Sequence, residues 1–193
     1  MELFFDTETS DKFDFKNPNY KSRNFPWCVQ LGTVLAENGI AYAELNVIIA
    51  AGNRTIAESA EAVHYITAEQ ANIYGVDEKL VAKIFLAFYK IADKLVCHNF
   101  QFDSTIIAGL LYRQGFELDA INLLYSKPYF CTMLGATDFC KLPGKWGKYK
   151  WPKLQELHKH LFGMDFIGAH DAMFDIKATM KCFYELKAIG WIK

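Results

Sequence analysis

The apolar and polar positions divide this chain into short extended runs first and helical repeats later. Leu3, Phe4 and Phe5 form an unbroken apolar run, the pattern of a central strand covered on both faces, and Asp6 and Glu8 close it. Thr9 to Pro26 is polar and broken by Pro18 and Pro26, which predicts a loop. Trp27 to Ala36 reads as a second strand, Glu37-Asn38-Gly39 as a tight turn, and Ile40 to Ile49 as the returning third strand. Beyond Gly52-Asn53 short helices are expected, one of them opened by Thr67 and Gln70 at capping-box spacing. Glu78 to Ala92 predicts a helix with Leu80, Ile84, Ala87 or Phe88, and Ile91 on its apolar face. Lys94 to His98 predicts another buried strand, Phe102 to Gln114 a helix, and Tyr129 to Thr132 a short strand leading into Met133 to Phe139. Gly144 and Gly147 mark a lysine-rich loop, followed by a helix from Leu154 to Phe162 that ends at Gly163. The last helix runs from about Asp171 to Ala188, with Met173, Ile176, Met180 and Phe183 toward the core. A three-stranded antiparallel meander followed by alternating helices and strands predicts an α/β fold. Its mixed central sheet holds the meander plus two further strands, flanked by helices.

Length and composition fit that reading. The 193 residues, 52% of them hydrophobic, suffice for one domain spanning 1–193 with its own core. No apolar run reaches membrane-spanning length, and the N-terminus lacks a basic-then-apolar leader pattern. Cys28, Cys97, Cys131, Cys140 and Cys182 are scattered among apolar neighbours without any C-x-x-C, as expected of reduced thiols in a cytoplasmic protein with no membrane partner. A net charge of −1 gives no overall sign of a polyanionic partner, but the charge is segregated. Asn17 to Trp27 carries Lys21 and Arg23 without an acid, and Lys141 to Lys153 carries five lysines without one.

The candidate chemistry begins at the end of the first strand. Asp6 and Glu8 are two apart, so both carboxylates point to the same side. Unpaired they would repel; a divalent cation such as Mg²⁺ or Mn²⁺ between them removes the conflict. A strand that simply ends in two solvated acids explains the pair equally well. Asp103 falls in the first turn of a helix, where the dipole alone favours an acid, and Asn99 is suited to capping that helix. Asp175 lies between Phe174 and Ile176, close to an apolar face. His170 follows Gly168-Ala169 and would titrate near neutrality, and Asp171 reads as a helix-start charge one turn before Asp175.

Together, Phe5-Asp6-Thr7-Glu8-Thr9, His98-Asn99-x-x-Phe102-Asp103 and His170-x-x-x-x-Asp175 resemble the DEDDh (DnaQ-like) family of 3′–5′ exonucleases. That family includes proofreading subunits, RNase T and oligoribonuclease. Val29-Gln-Leu-Gly32, His64-Tyr-Ile-Thr67, and Cys131-Thr132 with Lys153-Leu154-x-x-Leu157 extend the resemblance along nearly the whole chain. It implies an RNase H-like fold and a site for two divalent metal ions, Mg²⁺ or Mn²⁺. Asp6, Glu8 and Asp175 would hold one ion, Asp6 would bridge to the second, and Asp103 would act on the second through water. His170 would be the general base. Thr7 and Thr9 would contact the 3′-terminal nucleotide, and Asn99 and Phe102, inside the second motif, are further candidate substrate contacts.

Between Lys141 and Lys153 lysines alternate with aromatics, which makes Lys145, Trp146, Lys148 and Tyr149 candidates for gripping a single strand. The competing explanation is a solvated loop whose tryptophans pack on the core. Gly144 to Lys148 lacks the spacing and hydroxyl of a phosphate-binding loop, and His158 and His160 fall on different helix faces, which argues against zinc. The Ser10 to Pro26 link is longer than the family's usual connection, and its Lys16, Tyr20, Lys21, Arg23 and Phe25 suggest a side wall that grips the 3′ end. The chain ends soon after the last helix, leaving no tail for a polymerase tether, so a free-standing enzyme is expected. The function implied is a metal-dependent exonuclease releasing nucleoside 5′-monophosphates from single-stranded DNA 3′ ends. An exoribonuclease is the runner-up. A non-catalytic nucleic-acid-binding module should have lost a ligand or the base, and all five are present. A polymerase-associated proofreading subunit is a further alternative, and the resemblance leaves a homodimer open.

Overall fold

A computed structural model describes residues 1–168 and 171–192. Among them, five strands form one sheet in the order β3-β2-β1-β4-β5. The strands are β1 (Glu2–Thr9), β2 (Cys28–Glu37), β3 (Ile40–Ile48), β4 (Lys94–Cys97) and β5 (Tyr129–Cys131). The first three form the expected antiparallel meander, and β4 and β5 run parallel to β1. Between β3 and β4 lie α1 (Glu58–His64), α2 (Ala68–Tyr74) and α3 (Glu78–Ile91). α4 (Phe100–Arg113) and α5 (Glu117–Tyr125) join β4 to β5, and α6 (Thr132–Gly135), α7 (Thr137–Cys140), α8 (Leu154–Phe162) and α9 (Ala172–Ala188) complete the chain. No helix among the described residues is long and apolar enough to cross a membrane, and all five cysteines are buried and unpaired.

The central position of β1 explains its apolar run. Leu3 and Phe5 face one core, where the Phe5 ring meets Phe85 at 5.5 Å and Phe100 at 6.2 Å, both edge-on. Phe4 faces the other, against Phe183 at 5.5 Å. α3 and α4 thus cover one face, and α9 covers the other, with Ile176 and Phe183 buried and Met173 and Met180 packed beside them, as the helical spacing predicts. A separate cluster around Leu157, Cys182 and Leu186 seats α8 against α9.

The apolar face of α3 differs from the expected one. Leu80 and Ile91 are half exposed, and the helix buries Val81, Phe85 and Tyr89 instead. Both sets have helical spacing, and the large ring at Phe85, which reaches Phe5, selects the second. The expected capping box at Thr67 and Gln70 is present in full. α5 was not legible, because Leu118 and Tyr125 are exposed while only Ala120 and Leu123 are buried. Met133 to Phe139 divides into α6 and α7 around Ala136.

Gly32 on β2 decides how closely α9 approaches the sheet. It pairs with Asp6, and a Cβ there would stand 2.5 Å from Ile176 Cδ1 and 3.1 Å from the Ala172 backbone carbon. Without that atom the first turn of α9 rests on the strand pair that carries Asp6.

Candidate active site

The site forms where β1 and β4 end. Asp6 and Glu8 project to the same side of β1, and the first turn of α9, seated over Gly32, brings in Asp175. One carboxylate oxygen from each of the three lies within 4.8 Å of the others. A third acid, from the far end of the chain, thus joins the pair at the end of β1. Asp171 takes the other role expected of it: its carboxylate accepts the N–H groups of Met173 and Phe174 and caps α9.

Asp103 comes from the first turn of α4 and is 3% exposed. Its Oδ1 accepts the backbone N–H of Thr7 at 2.9 Å and the Thr7 hydroxyl at 2.8 Å. Thr7 therefore spends its side chain on holding Asp103. The Thr9 hydroxyl donates to the Asp11 carbonyl at 2.9 Å and fastens the chain just past a bulge between Glu8 and Thr9. Asn99 turns the chain from β4 into α4 in the left-handed conformation (φ 71°), which asparagine tolerates better than most residues, and its side chain makes no capping bond.

Burial and like charge push these acids upward. Asp6 is raised well above the ordinary carboxylate range, first by desolvation and then by Asp103, Asp175 and Glu8. Glu8 is raised to about 8 by burial and by the charges of Asp175 and Asp103. Asp103 is raised to about 7 by burial, although the two Thr7 donors pull it down. Alone, the cluster favours protons. A hard divalent cation fits it better, because every donor is a carboxylate oxygen.

Two histidines border the site, and hydrogen bonds hold both. His98 Nε2 donates to the Pro152 carbonyl at 3.1 Å and its Nδ1 pairs with the Thr132 hydroxyl at 2.9 Å. Burial lowers its pKa to about 4, so the ring is neutral and tied at both nitrogens. His64 accepts the Ile66 N–H at Nδ1, which places its proton on Nε2, facing the Thr9 carbonyl at 3.3 Å. His170 lies outside the described residues.

The acids open into a cleft of about 470 Å³ that also contains Asn99 and Phe102. One wall is the long link after β1. Phe13 stacks on Phe102 at 5.3 Å and touches Phe15 and Phe25, while Asp11, Lys12 and Phe15 face the cleft. The link residues singled out from sequence lie elsewhere. Tyr20 meets Tyr112 edge-on beneath Lys21, Phe25 is buried, Arg23 faces a second pocket, and Lys16 is not among the lining residues. The opposite wall, Ser59, Ala60, Val63 and His64 of α1, was missed, because the repeat of α1 is too short to read; only the His64-Tyr-Ile-Thr67 turn marked it.

Lys145, Trp146, Lys148 and Tyr149 do not line the cleft. They sit on a 3₁₀ turn (Lys145–Gly147) and a bridge between Pro143 and Tyr149, and the loop is anchored at Pro152 by His98. The tryptophans do not pack on the core: Trp146 is 96% and Trp151 64% exposed.

No protein-family model matches the sequence, and no curated protein does. Solved structures do match. E. coli exonuclease I in complex with a dA16 oligonucleotide superposes with a TM-score of 0.75 at 17% identity, over 97% of this chain and 40% of that one. Its zinc-bound form with single-stranded DNA gives 0.74 at 18% identity, over 97% and 40%. The complex with a dT13 oligonucleotide gives 0.75 at 17% identity, over 96% and 40%. The chain thus spans about two fifths of the length of these relatives. With its meander, its two parallel strands and its helices on both faces, the chain has the RNase H-like α/β fold seen in exonuclease I.

Proposed function

We propose that this chain is a divalent-metal-dependent 3′–5′ exonuclease that releases nucleoside 5′-monophosphates from single-stranded DNA. The observation that carries the reading is the convergence of Asp6, Glu8 and Asp175 within 4.8 Å in an open cleft. It gains support from a fold shared with an exonuclease crystallised on dA16 and dT13. Asp6, Glu8 and Asp175 would hold one Mg²⁺ or Mn²⁺ ion, and Asp6 with Asp103 a second. A bound pair of such ions stabilises charge on both the entering and the leaving oxygen of a phosphodiester.

The remaining steps belong to the protein. Thr7 fixes Asp103 through two hydrogen bonds, so that carboxylate cannot swing away when the strand enters. Phe15 and Phe102 on one wall and Val63 on the other leave an apolar slot suited to a nucleobase, with Lys12 available to a phosphate. His170, five positions before Asp175, is assigned the removal of the attacking water's proton, a role an imidazole can fill at neutral pH. Lys145, Trp146, Lys148 and Tyr149 would contact the strand beyond the cleft, where exposed cations and rings stand together.

Chromatography of the products tests this reading. Single-stranded DNA with Mg²⁺ is expected to yield 5′-mononucleotides, and Asp175→Asn to yield none. Products bearing 3′-phosphates, or activity retained in the variant, would contradict it. Single-stranded RNA degraded faster than DNA would keep the chemistry and reverse the substrate.

A further inference from the structure

A second pocket, of about 400 Å³, lies beside the cleft and shares only Asp11 with it. Three arginines face it: Arg23, Arg54 and Arg113. Arg54 and Arg113 both bond the same Glu78 oxygen, at 3.0 and 3.1 Å, so one buried carboxylate stands against two guanidiniums. Arg54 also donates from Nε to the Ala51 carbonyl and from Nη2 to the Ala50 carbonyl while lying over the Trp27 ring. Arg113 does not: its Nε and Nη1 are buried and find no hydrogen-bond partner among the described residues. A structural ion-pair network would satisfy those donors, because leaving charged N–H groups unmade is costly. Gly109 makes the room, since a Cβ there would stand 3.1 Å from the Phe25 ring and 3.4 Å from Arg113 Nη1. Arg23 is exposed at the rim, and among the described residues Asp11 is the one acid that lines the pocket.

We propose that this arginine pocket is an oxyanion site that binds a phosphate group, separate from the carboxylate cleft. The guanidinium fork matches phosphate geometry, with unspent donors on Arg113, an exposed cation at Arg23 and the fixed positive charge of Arg54. The site does not depend on the nuclease reading.

The test is a thermal-melt titration of the protein in EDTA, at constant ionic strength, with inorganic phosphate, deoxyadenosine 5′-monophosphate and a short single-stranded oligonucleotide. Wild type is expected to gain about 3–5 °C at ten times the apparent Kd. Arg23→Gln should weaken that affinity about tenfold, and because Arg23 is exposed the variant keeps its fold. Arg113→Gln, where it folds, should abolish the response. Mononucleotide binding as tight as oligonucleotide binding identifies a free nucleotide as the source of the phosphate; an oligonucleotide bound tenfold tighter, with the same sensitivity to Arg23→Gln, identifies a strand. No saturable stabilisation in wild type, or an equal response in Arg23→Gln, overturns the proposal.

Discussion

Replacing Glu8 by Gln should make the metal-free protein less sensitive to pH. In the folded state Glu8 titrates at about 8 rather than 4.5, chiefly because it is buried and secondly because Asp175 and Asp103 are close. Between those values the folded protein holds a proton that the unfolded chain has released. Its stabilising contribution is complete below the unfolded value and is lost as pH rises through the folded one. At about 1.4 kcal/mol per pH unit the shift sets a ceiling of about 5 kcal/mol. Asp6 and Asp103 move the same way, so the acids share protons and titrate as a group. About half the ceiling is therefore expected from Glu8 itself, or about 5–10 °C in Tm for a domain of this size. The assay is a series of melts in EDTA between about pH 5 and about pH 8.5. Wild type should lose about that much more Tm than Glu8→Gln across the range, and Mg²⁺ added at the alkaline end should restore it in wild type alone. Parallel curves for the two proteins would refute the account of a strained acid cluster.

Three further substitutions probe separate parts of the structure. Gly32→Ala places a Cβ 2.5 Å from Ile176 Cδ1 and 3.1 Å from the Ala172 backbone, which should push α9 and Asp175 outward. A loss of about tenfold or more in kcat/KM with only a small fall in Tm is expected; unchanged kinetics would show that α9 has slack. Thr7→Val removes the 2.8 Å hydroxyl bond to Asp103 but keeps the backbone bond, so urea unfolding should show a loss of about 1 kcal/mol and cleavage should slow. Trp146, 96% exposed, should tolerate Ala within about 0.5 kcal/mol of stability. If its ring stacks on a base, KM for an oligonucleotide rises at least about fivefold, and an unchanged KM would remove the loop from the strand's path.

The elements that sequence reveals here are those whose residues report their own surroundings. β1 announces its burial because both faces are covered, and α9 because one stripe meets the sheet. Asp6 and Asp175 stood out because carboxylates beside Phe5 and Ile176 conflict with their apolar neighbours, whereas Asp103 read as an ordinary helix-start acid until the resemblance joined it to them. α5 and the buried face of α3 were not, because exposed Leu118, Tyr125, Leu80 and Ile91 imitate core positions. The cleft walls were hidden for another reason. Phe15 and Val63 lie far apart in the chain and meet only through the packing of Phe13 on Phe102 and the turn at His64. Arg113 in turn reads as an ordinary cation in the last turn of a helix until Glu78 and Arg54 are seen beside it.

Digestion of a 5′-labelled single-stranded DNA oligomer, followed on a gel with Mg²⁺ or with EDTA, tests the central claim most directly. Wild type with Mg²⁺ should give a ladder that shortens from the 3′ end, absent with EDTA and absent in Asp6→Ala and His170→Ala. Immediate release of the labelled 5′ nucleotide, internal cuts, or a ladder that persists in EDTA would contradict it.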